Sequence, residues 1–333
     1  MSSVYDKHIL EQRGRRYQKS LLDVLLWDHA AQHHILWATD DYAAYGSTYE
    51  ETDEILSEQV SGENRGFIRP RISKASENQF IRTRRKAEVF TPSWICNAQN
   101  NLVDAQWFGR ENVFNRPVEE DEHHWQHTSG KIAFPDDKAH SWKQYVDARR
   151  MEISCGEAPY LVSRYDAVTG DEIPIAKRIG ILDRKLRIVS ENVSDAEWLF
   201  WTLRAFQSVY GFEYQGDSLF LARENLFASF IEYHFFQFGR MPETLWLYRI
   251  ATVISWNLWQ MDGQKGVVPG SCHTVEYEEN SLFGDIVTYP CPGCEHKDIY
   301  QHNGIYCVIK DWRAKKKVKF VSLLKGGGAR GSI

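Results

Sequence analysis

Three patterns in this chain have residue types and spacings that could do chemistry. Glu152-Ile153-Ser154-Cys155-Gly156-Glu157-Ala158 sets an acid ahead of small residues and a glycine. A strand-to-helix turn needs that composition if backbone is to approach a bound ligand. Val209-Tyr210-Gly211-Phe212-Glu213 is a short apolar strand ending in an acid. At the carboxyl end of the second strand of a doubly wound sheet, such an acid can hold two ribose hydroxyls. The third pattern is Cys291-Pro292-Gly293-Cys294, with Cys272, His296, His302 and Cys307 close by in sequence. Zinc takes four tetrahedral N or S ligands, and a tight turn presenting two thiolates is how zinc ribbons and knuckles begin. The expected ligands are Cys291, Cys294, Cys307 and one of Cys272 or His296. The alternative is a β-hairpin turn whose thiols are only half-buried.

These residues need elements to position them. Pro92 keeps Thr91 out of helix, so Phe90-Thr91-Pro92 should be extended or a turn. The apolar run of Leu21, Leu22, Val24, Leu25 and Leu26 predicts a helix over 5–38. Helical composition with few breakers marks 195–208 and 217–238, and β-like runs fall at 304–309 and 317–324. The chain thus divides into a helical N-terminal extension (1–81), an α/β core (82–269) and a small β-rich, Cys-containing region (270–333). In a Rossmann-type unit the ribose-binding acid follows the glycine turn by about 20 residues. Glu213 lies much further on, which predicts an insertion, about 163–192, folded out of the core.

Composition narrows the class. With 333 residues and 43% hydrophobic, the chain can bury a full core. No apolar run approaches the ~20 residues of a membrane helix, and the polar start does not resemble a signal peptide. A cytoplasmic protein with reduced cysteines and no membrane partner is expected. Net charge is −5 but unevenly placed. A basic stretch over 69–86 offers Arg82, Arg84, Arg85 and Lys86 as DNA phosphate contacts, and a second runs from Lys310 to Lys319.

The order of Phe90-Thr91-Pro92, the Glu152–Ala158 turn and Glu213 resembles that of the gamma-class adenine-N6 DNA methyltransferases, the modification subunits of restriction systems. The likeness covers roughly 82–265. It implies a Rossmann-like sheet binding S-adenosylmethionine, with Phe90, Thr91 and Pro92 at the methionine end. Glu152, Cys155 and Gly156 would form the cofactor turn, with Ile153 and Ala158 replacing the family's Pro and last Gly. Glu213 would hold the ribose. Residues 254–263 resemble the family's third strand, which would bring Asp262 to the cofactor's adenine amine. The family's Asn/Asp-Pro-Pro-Tyr/Phe tetrapeptide, which accepts hydrogen bonds from a flipped-out adenine, is missing after Asp262, so no catalytic residue is assigned. Glu157-Ala158-Pro159-Tyr160 shares its Pro-aromatic ending, but taking it as that motif would leave no cofactor turn. Two functions remain: a methyltransferase subunit acting on DNA, whose site a second polypeptide or a restriction or specificity subunit completes, or an inactive relative that binds DNA or a partner.

Overall fold

A computed structural model describes residues 7–11, 19–74, 91–118, 121–278 and 286–325. In chain order the helices are α1 (Leu21–Leu26), α2 (Ser93–Phe108), α3 (Trp142–Asp147), α4 (Ile181–Asn192), α5 (Asp195–Phe206), α6 (Gly216–Phe238), α7 (Thr244–Asn257), α8 (Pro292–His296) and α9 (Phe320–Lys325). The strands are β1 (Asn115–Val118), β2 (Asp121–His127), β3 (Arg150–Glu152), β4 (Val209–Glu213), β5 (Leu258–Gln260), β6 (Val275–Glu278), β7 (Ile286–Tyr289), β8 (Val308–Asp311) and β9 (Lys316–Lys319).

The centre is a three-stranded parallel sheet in the order β3-β4-β5. Its middle strand is buried from Val209 to Phe212. Parallel strands covered on both faces are near-continuously apolar, which explains the Val-Tyr-Gly-Phe run. The side chains alternate between two cores. Val209 and Leu258 join the larger core with α1, α4, α6 and α7. Tyr210, Phe212 and Trp259 face Cys307, Ile309, Phe320 and Val321 from the C-terminal part.

Both domain boundaries read from the sequence are therefore packed over. Leu21, Leu22, Leu25 and Leu26 share the larger core, and Cys307, Ile309 and Phe320 cover the sheet's second face. The helix expected over 5–38 is much shorter among the described residues. A capping box at Ser20 starts α1, which stops at Leu26. Beyond it the Asp28 carboxylate accepts hydrogen bonds from the amides of Ala30 and Ala31 and turns the chain. Ile35 then pairs its backbone with Leu26 and Ile55 in extended form.

Residues 181–192 correct the expectation that an insertion over about 163–192 folds out of the core. Along α4, Leu182, Leu186, Ile188 and Val189 are buried, and so are Asp183, Arg184 and Lys185. Arg184 forms a buried ion pair with Asp104 and donates to Asn97 and Asn101. Lys185 donates to the carbonyls of Val146 and Ala148, just before β3. The helix start is fixed by backbone contact, since a Cβ on Gly180 would lie 2.3 Å from the Leu161 carbonyl oxygen. Residues 181–192 are thus a crossover element between β3 and β4.

Candidate ligand cavity and cysteine cluster

At the carboxyl ends of β3 and β4 lies a cavity of about 790 Å³. Its wall includes Thr91, Glu152–Glu157, Tyr160, Arg164, Glu213–Gln215 and, from the N-terminal segment, Ala38–Asp40. The turn after β3 is tightly wound. Ser154, Gly156 and Ala158 all have left-handed φ, at 49°, 51° and 63°. A glycine at the place of Ala158 would suit that φ better than alanine does. The Cys155 amide donates to the Phe212 carbonyl (2.9 Å), carrying the β3–β4 pairing into the turn. Nothing lies within 4 Å of where a Cβ on Gly156 would be, so this backbone faces open space.

Two acids meet here. Glu213 accepts hydrogen bonds from the amides of Gly156 (2.8 Å), Tyr214 (2.9 Å) and Gln215 (3.2 Å). Burial raises its carboxyl, although those three amides pull the other way. Glu152 is buried and accepts from the amides of Tyr160 (3.4 Å) and Leu161 (3.2 Å). Burial, reinforced by the charge of Glu213, pushes it up to about 8. Burial and both acids hold the Cys155 thiol well above its ordinary value, and its sulfur packs against Gly211.

Thr91, Glu152, Cys155, Gly156 and Glu213 are thus brought together, and Pro92 begins the α2 end next to Thr91. Phe90 lies outside the described residues, as do Arg82, Arg84, Arg85 and Lys86. Asp262 does not reach the cavity wall. Strand β5 ends at Gln260, and the Asp262 carboxylate instead accepts from the amides of Gln264 and Lys265 in the following turn. Tyr160, set aside above with the Glu157–Tyr160 segment, lines the cavity, and sequence reasoning missed Arg164 and Asn225. Arg164 sits in a network with Glu232, Arg178 and Asn225. Burial opposes ionisation of Glu232, but the two guanidiniums bring its carboxyl down to about 2. Helical spacing of Asn225 and Glu232 on α6 was the only available hint of this wall.

The second assembly is the cysteine cluster. Cys272, Cys291, Cys294 and His302 lie together and could hold a metal such as zinc. Cys307, expected among the ligands, is excluded by strand geometry. Its side chain points into the core beside β8 and donates to the Gln260 carbonyl, while His302 takes the fourth place. The C-x-x-C opens the short helix α8 and not a hairpin turn.

No protein-family model, curated protein or solved structure matches this chain. Its chemistry rests on its own geometry. Among the described residues, no helix is long and apolar enough to cross a membrane.

Proposed function

We propose that the chain is a Rossmann-like, S-adenosylmethionine-binding subunit of a DNA adenine-N6 methyltransferase in a restriction-modification system. One observation carries the proposal. Three adjacent parallel strands follow chain order, and the glycine turn after the first and the acid ending the second open on one cavity. Ligands of open α/β sheets bind beyond the carboxyl ends of the strands, where a glycine turn lets them meet backbone.

The residues present suit that cofactor. The cavity volume falls within the ~300–1,000 Å³ range of small-molecule sites. Bound S-adenosylmethionine supplies an electrophilic methyl on a sulfonium cation. Glu213 would accept hydrogen bonds from the ribose hydroxyls while the Gly156 amide holds its carboxylate in place. Glu152, buried beside Glu213, would be drawn toward its ionised form by a nearby cation. Thr91 walls the same space, as the Phe-Thr-Pro resemblance implies for the methionine end.

Calorimetric titration with S-adenosylmethionine tests the proposal, and saturable binding is expected. Glu213→Ala should weaken binding by roughly 1–3 kcal/mol through lost charge-assisted hydrogen bonds. Unchanged affinity would remove Glu213 from the site. The absence of an Asn/Asp-Pro-Pro-Tyr/Phe sequence after Asp262 favours a second function, binding of DNA or a partner without methyl transfer. Transfer of labelled methyl groups to duplex DNA separates the two. Binding without transfer, restored by adding a partner polypeptide, would show that the site is completed in trans.

A further inference from the structure

The cysteine cluster plays no part in the cavity and needs its own explanation. The Nδ1 atom of His302 lies 3.5 Å from Cys272 Sγ, 3.6 Å from Cys291 Sγ and 3.7 Å from Cys294 Sγ. All four ligand atoms fall within 4.8 Å of one another. A tetrahedral zinc with Zn–S of about 2.3 Å and Zn–N of about 2.0–2.1 Å requires S···N separations of about 3.6 Å. The three observed separations match that value from both sides.

The surroundings are shaped for these four groups. A Cβ on Gly293 would lie 2.7 Å from His302 Nδ1, so the Gly of the Cys-Pro-Gly-Cys turn leaves room for the imidazole. A Cβ on Gly304 would lie 3.1 Å from Cys272 Sγ. The Asn303 amide points at Cys291 Sγ (3.3 Å), a donor that supports a thiolate ligand from outside the coordination shell. The three cysteines carry no disulfide.

We propose that Cys272, Cys291, Cys294 and His302 bind one structural Zn²⁺. Four protein ligands leave no open position for water or substrate, which separates this site from a catalytic zinc. Three thiolates and one imidazole suit zinc better than the oxygen-seeking divalent cations. The metal ties together three chain segments, at Cys272, at Cys291–Cys294 and at His302. It also closes the base of the β6–β7 hairpin, because Cys272 precedes β6 and Cys291 follows β7. Backbone bonds from Val268 to Ile305 and from Cys307 to Gly266 then join this unit to the residues following β5.

Elemental analysis of the purified full-length chain should find about one zinc per chain. Cys291→Ser and His302→Ala should each reduce this to below about a tenth of that content, whereas Cys307→Ser should retain it. Cobalt exchanged into the wild-type protein should show thiolate-to-metal charge transfer and the intense d–d bands of a tetrahedral site, a readout that needs no variant to fold. Chelation should speed hydrogen exchange over 271–307 and leave β3–β5 protected. A folded wild type without zinc would overturn the proposal. So would an octahedral cobalt spectrum, or metal lost with Cys307→Ser and kept with His302→Ala. Exchange unchanged by chelation would overturn the structural role. All of these readouts are independent of S-adenosylmethionine binding.

Discussion

The cavity and the cysteine cluster assemble reactive side chains in opposite ways. Glu213 reaches back to a turn 57 residues earlier, and the two are held by a parallel sheet buried between two apolar cores. Cys272 and His302 are only 30 residues apart, and the described segments between them include the paired strands β6 and β7 and the short helix α8. In the first region, burial does the positioning and also suppresses charge, as the raised carboxyls of Glu152 and Glu213 record. In the second, the proposed ligands come from separate short segments, and a metal would provide the cross-link between them.

The comparison can be broken most forcefully at the helix beneath the sheet. Asp104→Ala would leave the Arg184 guanidinium buried without its anion. The expected loss is about 3–5 kcal/mol of unfolding free energy, read by urea denaturation. A loss below about 1 kcal/mol would mean that the Asn97 and Asn101 contacts suffice to hold Arg184.

A smaller effect concerns charge at the cavity. Because the folded Glu152 carboxyl sits at about 8 and its ordinary value is 4.5, the folded chain keeps a proton that the unfolded chain has released. That contribution is present in full below the ordinary value and is lost as pH rises through about 8. Glu152→Gln should therefore gain stability relative to wild type between pH 5 and 8.5, by up to a few kcal/mol in thermal melts. A gap that stays constant with pH would show that Glu152 is ionised in the fold.

The smallest effect lies in the turn itself. Ser154 is exposed with φ 49°, so Ser154→Gly should stabilise by about 0.5–1 kcal/mol, the left-handed cost less the glycine flexibility. Destabilisation would mean that the Ser154 side chain contributes a contact that outweighs this strain.

How much of this was legible depended on how local the signal was. The strand ending at Glu213 and the long α6 are local patterns that the structure keeps; the glycine turn is kept as a turn, but the helix expected after it does not begin until Ile181. Strand β5 was misjudged because its apolar lead-in, from Thr244 onward, folds as α7 and leaves only Leu258–Gln260 extended. That shift carries Asp262 past the sheet. Nothing local distinguishes Cys307 from His302 as a ligand; the inward direction of Cys307 just before β8 and the room that Gly293 leaves for the His302 imidazole decide it. The burial of 181–192 was hidden for another reason. Arg184 and Lys185 look like surface residues until partners at 97–101 and 146–148 are known.

The side-chain amide of Gln260 accepts from the Leu36 amide and donates to the Leu36 carbonyl, both at 2.8 Å, so it holds the segment that supplies Ala38–Asp40 to the cavity wall. The two residues are 224 positions apart. Contacts of such long range form late, because the entropy of closing the loop comes due before the contact rewards it. During synthesis, the apolar side chains of α1 must wait for α6 and α7 to emerge from the ribosome before they can be buried. The Leu36–Gln260 contact therefore cannot form before Gln260 is synthesised, and a nascent chain stalled before it would lack that brace of the cavity wall.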